Sequence, residues 1–433
     1  MGVGGAPGSD TDRSRLTFQI LVGMGAGVAL GVALNALAAH TPLPQRVYAV
    51  VVDGALYVGG QIFLASLKLL VVPLVFVSIV CGVASLDDLS RLGRVGGKTL
   101  LLYLATTAIA ITLALSAAMW VQPGAGFDLT AAQITQKAVA DPPTLVETLI
   151  ALFPSNPVRA MAEGEMLQII VFAVLFGMAL TLSGEPGRRI VALFNDLNDV
   201  ILRLVMMLIA LAPYGVFCLL ARVFAAEGLG AIPPLAKYFG LVLAVLATHA
   251  LLTYPLLLRG LAGLDPRPFF RKMRPPLALA FSTASSGATL PVTLETVEHR
   301  LGVDNRVASF TVPLGATINM DGTAIMQGVA TGFIAQAYGI SLGMGDFLTV
   351  VATATLASIG TAAVPGVGLV MLAMVLRQVG LPVEGIGLII GVDRLLDMVR
   401  TAVNITGDAA VSCVVAKSEG QLDTEVFAAT SED

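Results

Sequence analysis

The run from Gly391 to Asp408, GVDRLLDMVRTAVNITGD, sets Asp393, Asp397, Arg400, Thr401, Asn404 and Asp408 in a segment that stays apolar on both sides. At about 100° per residue these six side chains fall within an arc of roughly 100° on one side of a helix. Leu395, Leu396, Val399 and Val403 fall outside that arc. In a soluble protein such a face is simply solvated. Composition removes that reading, because 56% of the 433 residues are hydrophobic and 12% charged, with a mean hydropathy of +0.86, far beyond a soluble domain. A polytopic membrane protein is expected. An ionisable group at mid-membrane costs at least about 2.5 kcal/mol and normally marks an ion or substrate path.

Working outward to the N-terminus, residues 1–15 are Gly-rich and polar, end in Arg13 and Arg15, and lack the pattern of a cleavable leader. They read as a cytoplasmic tail. Apolar runs follow at about 16–39, 47–86, 99–121, 166–183, 190–223 and 238–258, each of a length to span hydrocarbon. Basic residues accumulate in alternate loops, at Arg91, Arg94 and Lys98, at Arg188 and Arg189, and at Arg259, Arg267, Arg271, Lys272 and Arg274. Since Lys and Arg favour the cytoplasmic side, six spans with the N-terminus inside are expected. The polar connection 122–165 should lie outside, as a tether.

The three cysteines, Cys81, Cys218 and Cys413, and the three histidines, His40, His249 and His299, are scattered, without the spacing of a metal centre or a catalytic triad. His249 lies inside a span and reads as a hydrogen-bonded packing histidine. Beyond Arg274, the segments 276–298 and 347–376 are apolar but interrupted, the first by Ser282, Thr283, Ser285, Ser286, Gly287, Thr289 and Pro291, the second by Ser358, Gly360, Thr361, Pro365, Gly366 and Gly368. Irregular backbone at membrane depth is tolerated where protein or a water-filled cavity satisfies it. Each segment therefore reads as a helical hairpin that enters and returns. Each is followed by a helix with a polar middle, Asn319 to Thr323 in one case and Asp393 to Asp408 in the other. Paired interrupted segments in two halves point to a transport site built from inverted repeats.

Four stretches, SSGATLPVT (285–293), PLGATINMDGT (313–323), LASIGTAAVPGVG (356–368) and LDMVRTAVNITGD (396–408), resemble the dicarboxylate/amino acid:cation symporters, the family of glutamate transporters and their archaeal aspartate homologues. The likeness runs from the first span to about Lys417. It implies an all-α membrane protein of eight transmembrane helices and two re-entrant hairpins, a homotrimer whose transport domain moves like an elevator. That domain would comprise roughly 90–122 and 259–418, against a scaffold of 16–89 and 123–258, and 419–433 would be a second cytoplasmic tail. No enzyme activity, organic cofactor or nucleic-acid partner is implied.

Carried over by motif, the substrate pocket falls on Ser285, Ser286, Thr323, Val364, Pro365, Gly366, Gly368, Asp397, Arg400, Thr401 and Asn404. Sodium ions, as co-transported cargo, would meet Tyr103, Thr106, Thr107, Asn319, Asp321 and Asn404 at one site. A second would be Asp408 with carbonyls near Gly315, Asn319 and Asn404, and a third the carbonyls of Thr317, Ser358, Ile359 and Thr361. Elementary chemistry agrees, since a guanidinium grips a carboxylate with two parallel hydrogen bonds, an aspartate can accept from an ammonium group, and a hard cation wants oxygen ligands. Four positions depart from the family pattern. Ala284 replaces an archaeal arginine while Arg394 adds one on the eighth span, Ala363 replaces a glycine in the second hairpin, and Gln327 stands where eukaryotic members carry a proton-linked glutamate.

The resulting expectation is a sodium-coupled importer of glutamate or aspartate in the plasma membrane, surrounded by lipid. Proton coupling and C4-dicarboxylate transport remain as alternatives. An ion channel would instead give currents without coupled solute accumulation. An intramembrane hydrolase would need a base beside Ser286, and the sequence offers no nearby histidine.

Overall fold

The computed structural model describes residues 10–40, 48–84, 89–125, 153–358 and 366–429. Within them the chain is helical, with one isolated bridge between Val303 and Leu422 and no strand. In chain order the helices are α1 (Asp10–His40), α2 (Tyr57–Ala84, entered through a π-turn at Ala49–Leu56), α3 (Leu89–Val121), α4 (Pro157–Glu163), α5 (Met166–Leu182), α6 (Glu185–Ile209) and α7 (Ala212–Glu227). They continue with α8 (Ile232–Thr248), α9 (Tyr254–Ala262), α10 (Pro266–Lys272), α11 (Arg274–Thr283), α12 (Ser286–Glu295), α13 (Asn305–Ile318) and α14 (Asp321–Ala337). The last four are α15 (Met344–Ser358), α16 (Val367–Gln378), α17 (Ile386–Ser418) and α18 (Thr424–Ala428).

Among the described residues four helical stretches are long and apolar enough to cross a membrane: Phe18–Ala38, Ala49–Cys81, Arg94–Val121 and Gly228–Ala262. The expected run 190–223 is not one helix. It breaks at Ala210–Leu211 and bends by 46°, just before Pro213, whose ring and missing N–H cannot continue the preceding helix. The run at 166–183 forms a helix of 17 residues, short of the roughly 20 that cross hydrocarbon untilted.

Packing follows small residues. Gly23, Gly27 and Gly31, one turn apart on α1, lie against backbone of α7, and an added Cβ would come within 2.4 Å of Pro213 O, 2.7 Å of Phe217 O and 2.6 Å of Ala221 O. This is the small-residue seam by which apolar helices approach closely in lipid. Gly328 and Gly332 of α14 meet Ala114 and Ala118 of α3 in the same manner. Elsewhere size fills the gap, as where Phe76 of α2 stacks on Phe172 of α5 at 5.9 Å and meets Phe194 of α6 edge-on at 5.9 Å. Two neighbourhoods result: α1, α2, α5, α6 and α7 pack on one another, while α3, α11, α13 and α14 gather around α17 or around each other.

Each interrupted segment holds a pair of short helices. α11 and α12 pack together across a tight turn in which Ala284 adopts a left-handed conformation (φ 48°) and Ser285 caps α12 by accepting from Ala288 N at 3.2 Å. α15 and α16 also pack together. Their connection, with Ile359, Gly360, Thr361, Ala363, Val364 and Pro365, lies outside the described residues.

Past α17 the described part of the expected tail is a docked strap. Gln421 O accepts from Asp304 N (3.0 Å), Asp423 N donates to Gly302 O (2.8 Å), and Phe427 is buried. Lys272 donates to the carbonyls of Arg300, Val426 and Phe427 at 2.9, 2.5 and 3.0 Å, and partial burial holds its ammonium below the ordinary lysine value. The strap thereby joins the outer end of the first helical pair to the end of α17.

Candidate functional site

α17 is continuous for 33 residues, and its polar face carries two centres. In the first, Arg400 is buried, and its Nη1 donates to Asp393 at 2.9 Å while Nη2 donates to Asp397 at 2.8 Å. Asp397 also lies 3.6 Å from Arg394 Nη1. Two arginines and two aspartates thus cancel in charge, which is how buried ions are tolerated. One donor is left over, because Arg400 Nε is buried without a hydrogen-bond partner among the described residues.

Two other helices, α14 and α16, meet this arginine. Gly322, in the first turn of α14, fits against its backbone, where an added Cβ would lie 2.5 Å from Arg400 O. Gly368, at the start of α16, lies where a Cβ would be 3.3 Å from Thr323 Cγ2 and 3.6 Å from Arg400 Nη1. Gly366, in the left-handed conformation that glycine favours, abuts Ile209 at the break between α6 and α7. A cavity of about 70 Å³ beside it is lined by Asp393, Arg394 and Asp397 on one side and by apolar side chains including Phe63, Met206 and Ile209 on the other. Ser285 and Ser286 are buried at the α11–α12 turn, and Thr401 Oγ1 donates back to Asp397 O at 2.8 Å.

The second centre lies where α13 ends and α14 begins. Asn319 and Met320 leave helical geometry between Ile318 and Asp321, a break rich in Asn, Asp and Gly, which compete with helical backbone. Asn319 Nδ2 donates to Asn404 O (3.0 Å) and to Asp408 Oδ1 (2.9 Å), and Asn404 Oδ1 accepts from Gly322 N (2.7 Å). Gly315 is required by close approach, since a Cβ there would meet Asp408 Oδ1 at 2.5 Å and the Tyr103 hydroxyl at 2.6 Å. Asp408 is buried, and among the described residues it has no cationic side chain within salt-bridge distance.

The residues expected to share a cage around Asp321 are held in a more divided way. Thr107 donates to Asp321 Oδ1 at 2.6 Å, and Thr106 lies 3.5 Å from Asn319 Oδ1. Tyr103 instead donates to Thr311 O at 2.9 Å. The other oxygen of Asp321 is held by two residues the sequence did not single out for the site: His249 Nε2 at 3.0 Å and the Tyr254 hydroxyl at 2.9 Å. His249 is thus hydrogen-bonded and buried, and its partner is a candidate ion ligand. Thr317 and Ser358 turn their hydroxyls onto their own helices, at Leu314 O (2.9 Å) and Thr355 O (2.7 Å). Ile359 and Thr361 of the same set lie outside the described residues, as do Val364 and Pro365 of the substrate set.

Known proteins resemble the chain along nearly its whole length. Residues 16–418 match the model of the sodium:dicarboxylate symporter family. The chain is 38% identical over 418 residues to the proton/glutamate-aspartate symporter of Escherichia coli, covering 94% of each. It is 34% identical to the proton/sodium-glutamate symport protein of Bacillus caldotenax, covering 95% of this chain and 96% of the relative. With the C4-dicarboxylate transport protein of Rhodospirillum rubrum it shares 35% identity over 95% of this chain and 90% of the relative. A match across nearly the whole chain, both polar centres included, makes the protein a transporter and not an enzyme: it belongs to the sodium:dicarboxylate symporter family.

Proposed function

We infer that the chain is a secondary active symporter that imports glutamate or aspartate together with sodium ions across the plasma membrane. The observation that carries this reading is Arg400, buried, flanked by two carboxylates and left with an Nε that is unpaired among the described residues. An incoming side-chain carboxylate takes an edge of the guanidinium, and the aspartate it displaces turns to the substrate's ammonium group. Such an exchange keeps each of these buried groups paired, and the one net negative charge the substrate adds, that of its second carboxylate, is left for the pocket's hydroxyls and the accompanying cations to offset. Ser285, Ser286, Thr323, Gly366, Gly368, Thr401 and Asn404 complete the pocket. Val364 and Pro365 would close it from the second hairpin.

Sodium is read from Asp408, whose carboxylate faces an amide and the broken end of α13. A carboxylate beside carbonyls at the end of a half-helix is the setting in which transporters coordinate Na⁺ or H⁺. Tyr103, Thr106, Thr107, Gly315, Thr317, Asn319, Asp321, Ser358, Ile359, Thr361 and Asn404 would supply the remaining oxygens of the ion sites. A second reading, proton coupling, draws on one observation, the buried contact between His249 and Asp321. Eight spans, two re-entrant hairpins and an elevator-type homotrimer complete the proposal, with 90–122 and 259–418 moving against 16–89 and 123–258. The packing of α1, α2, α5, α6 and α7 on one another supports that division, while α8, within 123–258, also packs on α14 and α17.

Uptake of labelled glutamate, aspartate and succinate into liposomes, with sodium and pH gradients imposed separately, tests the reading. The expected result is concentrative glutamate or aspartate uptake that follows the sodium gradient. Accumulation driven by a pH gradient in sodium-free liposomes would assign the proton reading. Succinate as best substrate would overturn the amino-acid assignment.

A further inference from the structure

α10 connects the end of α9 to the first helical pair, and a groove of about 560 Å³ opens beside it, lined by Leu251, Pro255, Arg259, Pro266, Arg267, Phe270, Arg271 and Arg274. That size lies within the roughly 300–1,000 Å³ of ligand pockets. Arg267, Arg271 and Arg274 follow one another at helical spacing on the exposed side while Phe269 is buried on the other. Arg259 pairs with Asp265 at 3.6 Å, an aspartate that also caps α10 through Arg267 N at 3.2 Å. Among the described residues the other three arginines have no carboxylate within salt-bridge distance. The neighbouring Lys272 is committed to the strap carbonyls.

The upper wall has the opposite chemistry. Leu251 lines the groove from the π-helical turn His249–Thr253 that leads into α9, and it, Leu252 of the same turn and Leu256 of α9 are more than half exposed, on a stretch long and apolar enough to cross a membrane. Leu251 precedes Arg259 by eight residues, about 12 Å along a helix. One end of the groove therefore offers guanidinium forks matched to phosphate oxygens, and the other offers a hydrocarbon surface. A molecule complementary to both is an amphiphile with an anionic head and an apolar chain.

We propose that this groove is a binding site for one anionic phospholipid, its phosphate held by Arg267, Arg271 and Arg274 and an acyl chain laid along Leu251 and Phe270. Basic pockets beside membrane helices bind acidic headgroups in this way. The lipid fastens the base of the first helical pair to the membrane surface at the point where the chain leaves α9.

The test is thermal unfolding of the purified full-length protein in detergent, titrated with dioleoylphosphatidylglycerol or dioleoylphosphatidylcholine. Binding to the folded state raises the midpoint, so phosphatidylglycerol is expected to stabilise and phosphatidylcholine not to. The double variant Arg271→Gln/Arg274→Gln is expected to raise the half-saturating phosphatidylglycerol concentration about 25-fold. That is about fivefold per arginine, the factor given by ~1 kcal/mol for each basic residue near an anionic surface. The charge-matched variant Arg188→Gln/Arg189→Gln, at the start of α6, should change it less than twofold. Equal losses in the two variants would reduce the effect to general surface charge and overturn the site. So would equal stabilisation by phosphatidylcholine, or by inorganic phosphate at millimolar concentration. Melting in detergent alone separates either outcome from misfolding.

Discussion

The two polar centres of α17 stand about 12 Å apart along the helix, eight residues from Arg400 to Asp408, and they settle their charges by different means. Around Arg400 the balance is internal, with two aspartates on one guanidinium and Arg394 near by. Around Asp408 an amide donates a single hydrogen bond and no side-chain cation lies near among the described residues. A neutral cluster is prepared to exchange partners with a charged organic molecule. In the proposed function, the acid held by that one amide takes the small cation. The contrast gives each centre its own pattern of sensitivity.

The largest effect is expected from Arg400→Gln, which strands Asp393 and leaves Asp397 with Arg394 alone. Removing one member of a buried ion pair costs about 3–5 kcal/mol, so thermal stability should fall steeply. Glutamate uptake should drop more than about 100-fold, the rate equivalent of roughly 2.7 kcal/mol. Retained uptake with an unchanged KM would show that the guanidinium is structural and erase the distinction. Asp408→Asn comes next, and here stability should hold or rise while the half-saturating sodium concentration increases at least about tenfold, or about 1.4 kcal/mol. Its preference between glutamate and aspartate should move less than twofold. Sodium dependence that survives this change unaltered would make the two centres equivalent. The smallest change should follow Ser412→Ala. That hydroxyl donates to Asp408 O at 2.6 Å and meets Thr311 Oγ1 at 2.7 Å, so its loss should cost about 1 kcal/mol in a denaturation midpoint. A greater loss in sodium affinity than in stability would extend the ion centre to Ser412.

The amino-acid sequence displays the first centre almost completely. Asp393, Asp397 and Arg400 recur at helical spacing in an apolar run, and residues seven apart return to the same face. The Ser/Gly interruptions likewise mark the turns of the first helical pair, because few other compositions tolerate such backbone in lipid. What escapes is partnership between distant segments. His249 and Tyr254 look like ordinary members of an apolar helix, and nothing local ties them to Asp321 some seventy positions later. The break between α6 and α7 was signalled by Pro213, but a window averaged over 190–223 stays apolar across it. The strap escaped for a third reason. Its polar composition resembles a free end, and its anchoring runs through backbone carbonyls to Lys272, which no side-chain pattern reveals.

That strap orders events during synthesis. Asp304 and Gly302 leave the ribosome long before Gln421 and Asp423, their backbone partners. At about 5–20 residues per second the interval is roughly 6–25 s. Throughout that time the outer end of the first helical pair lacks its final hydrogen bonds, although every residue of α11 and α12 already exists. The turn at Ser285 is thus made early and its helical pair fastened last, and a chain stopped short of Phe427 would carry every residue of both polar centres without the clasp that holds the far end of that pair.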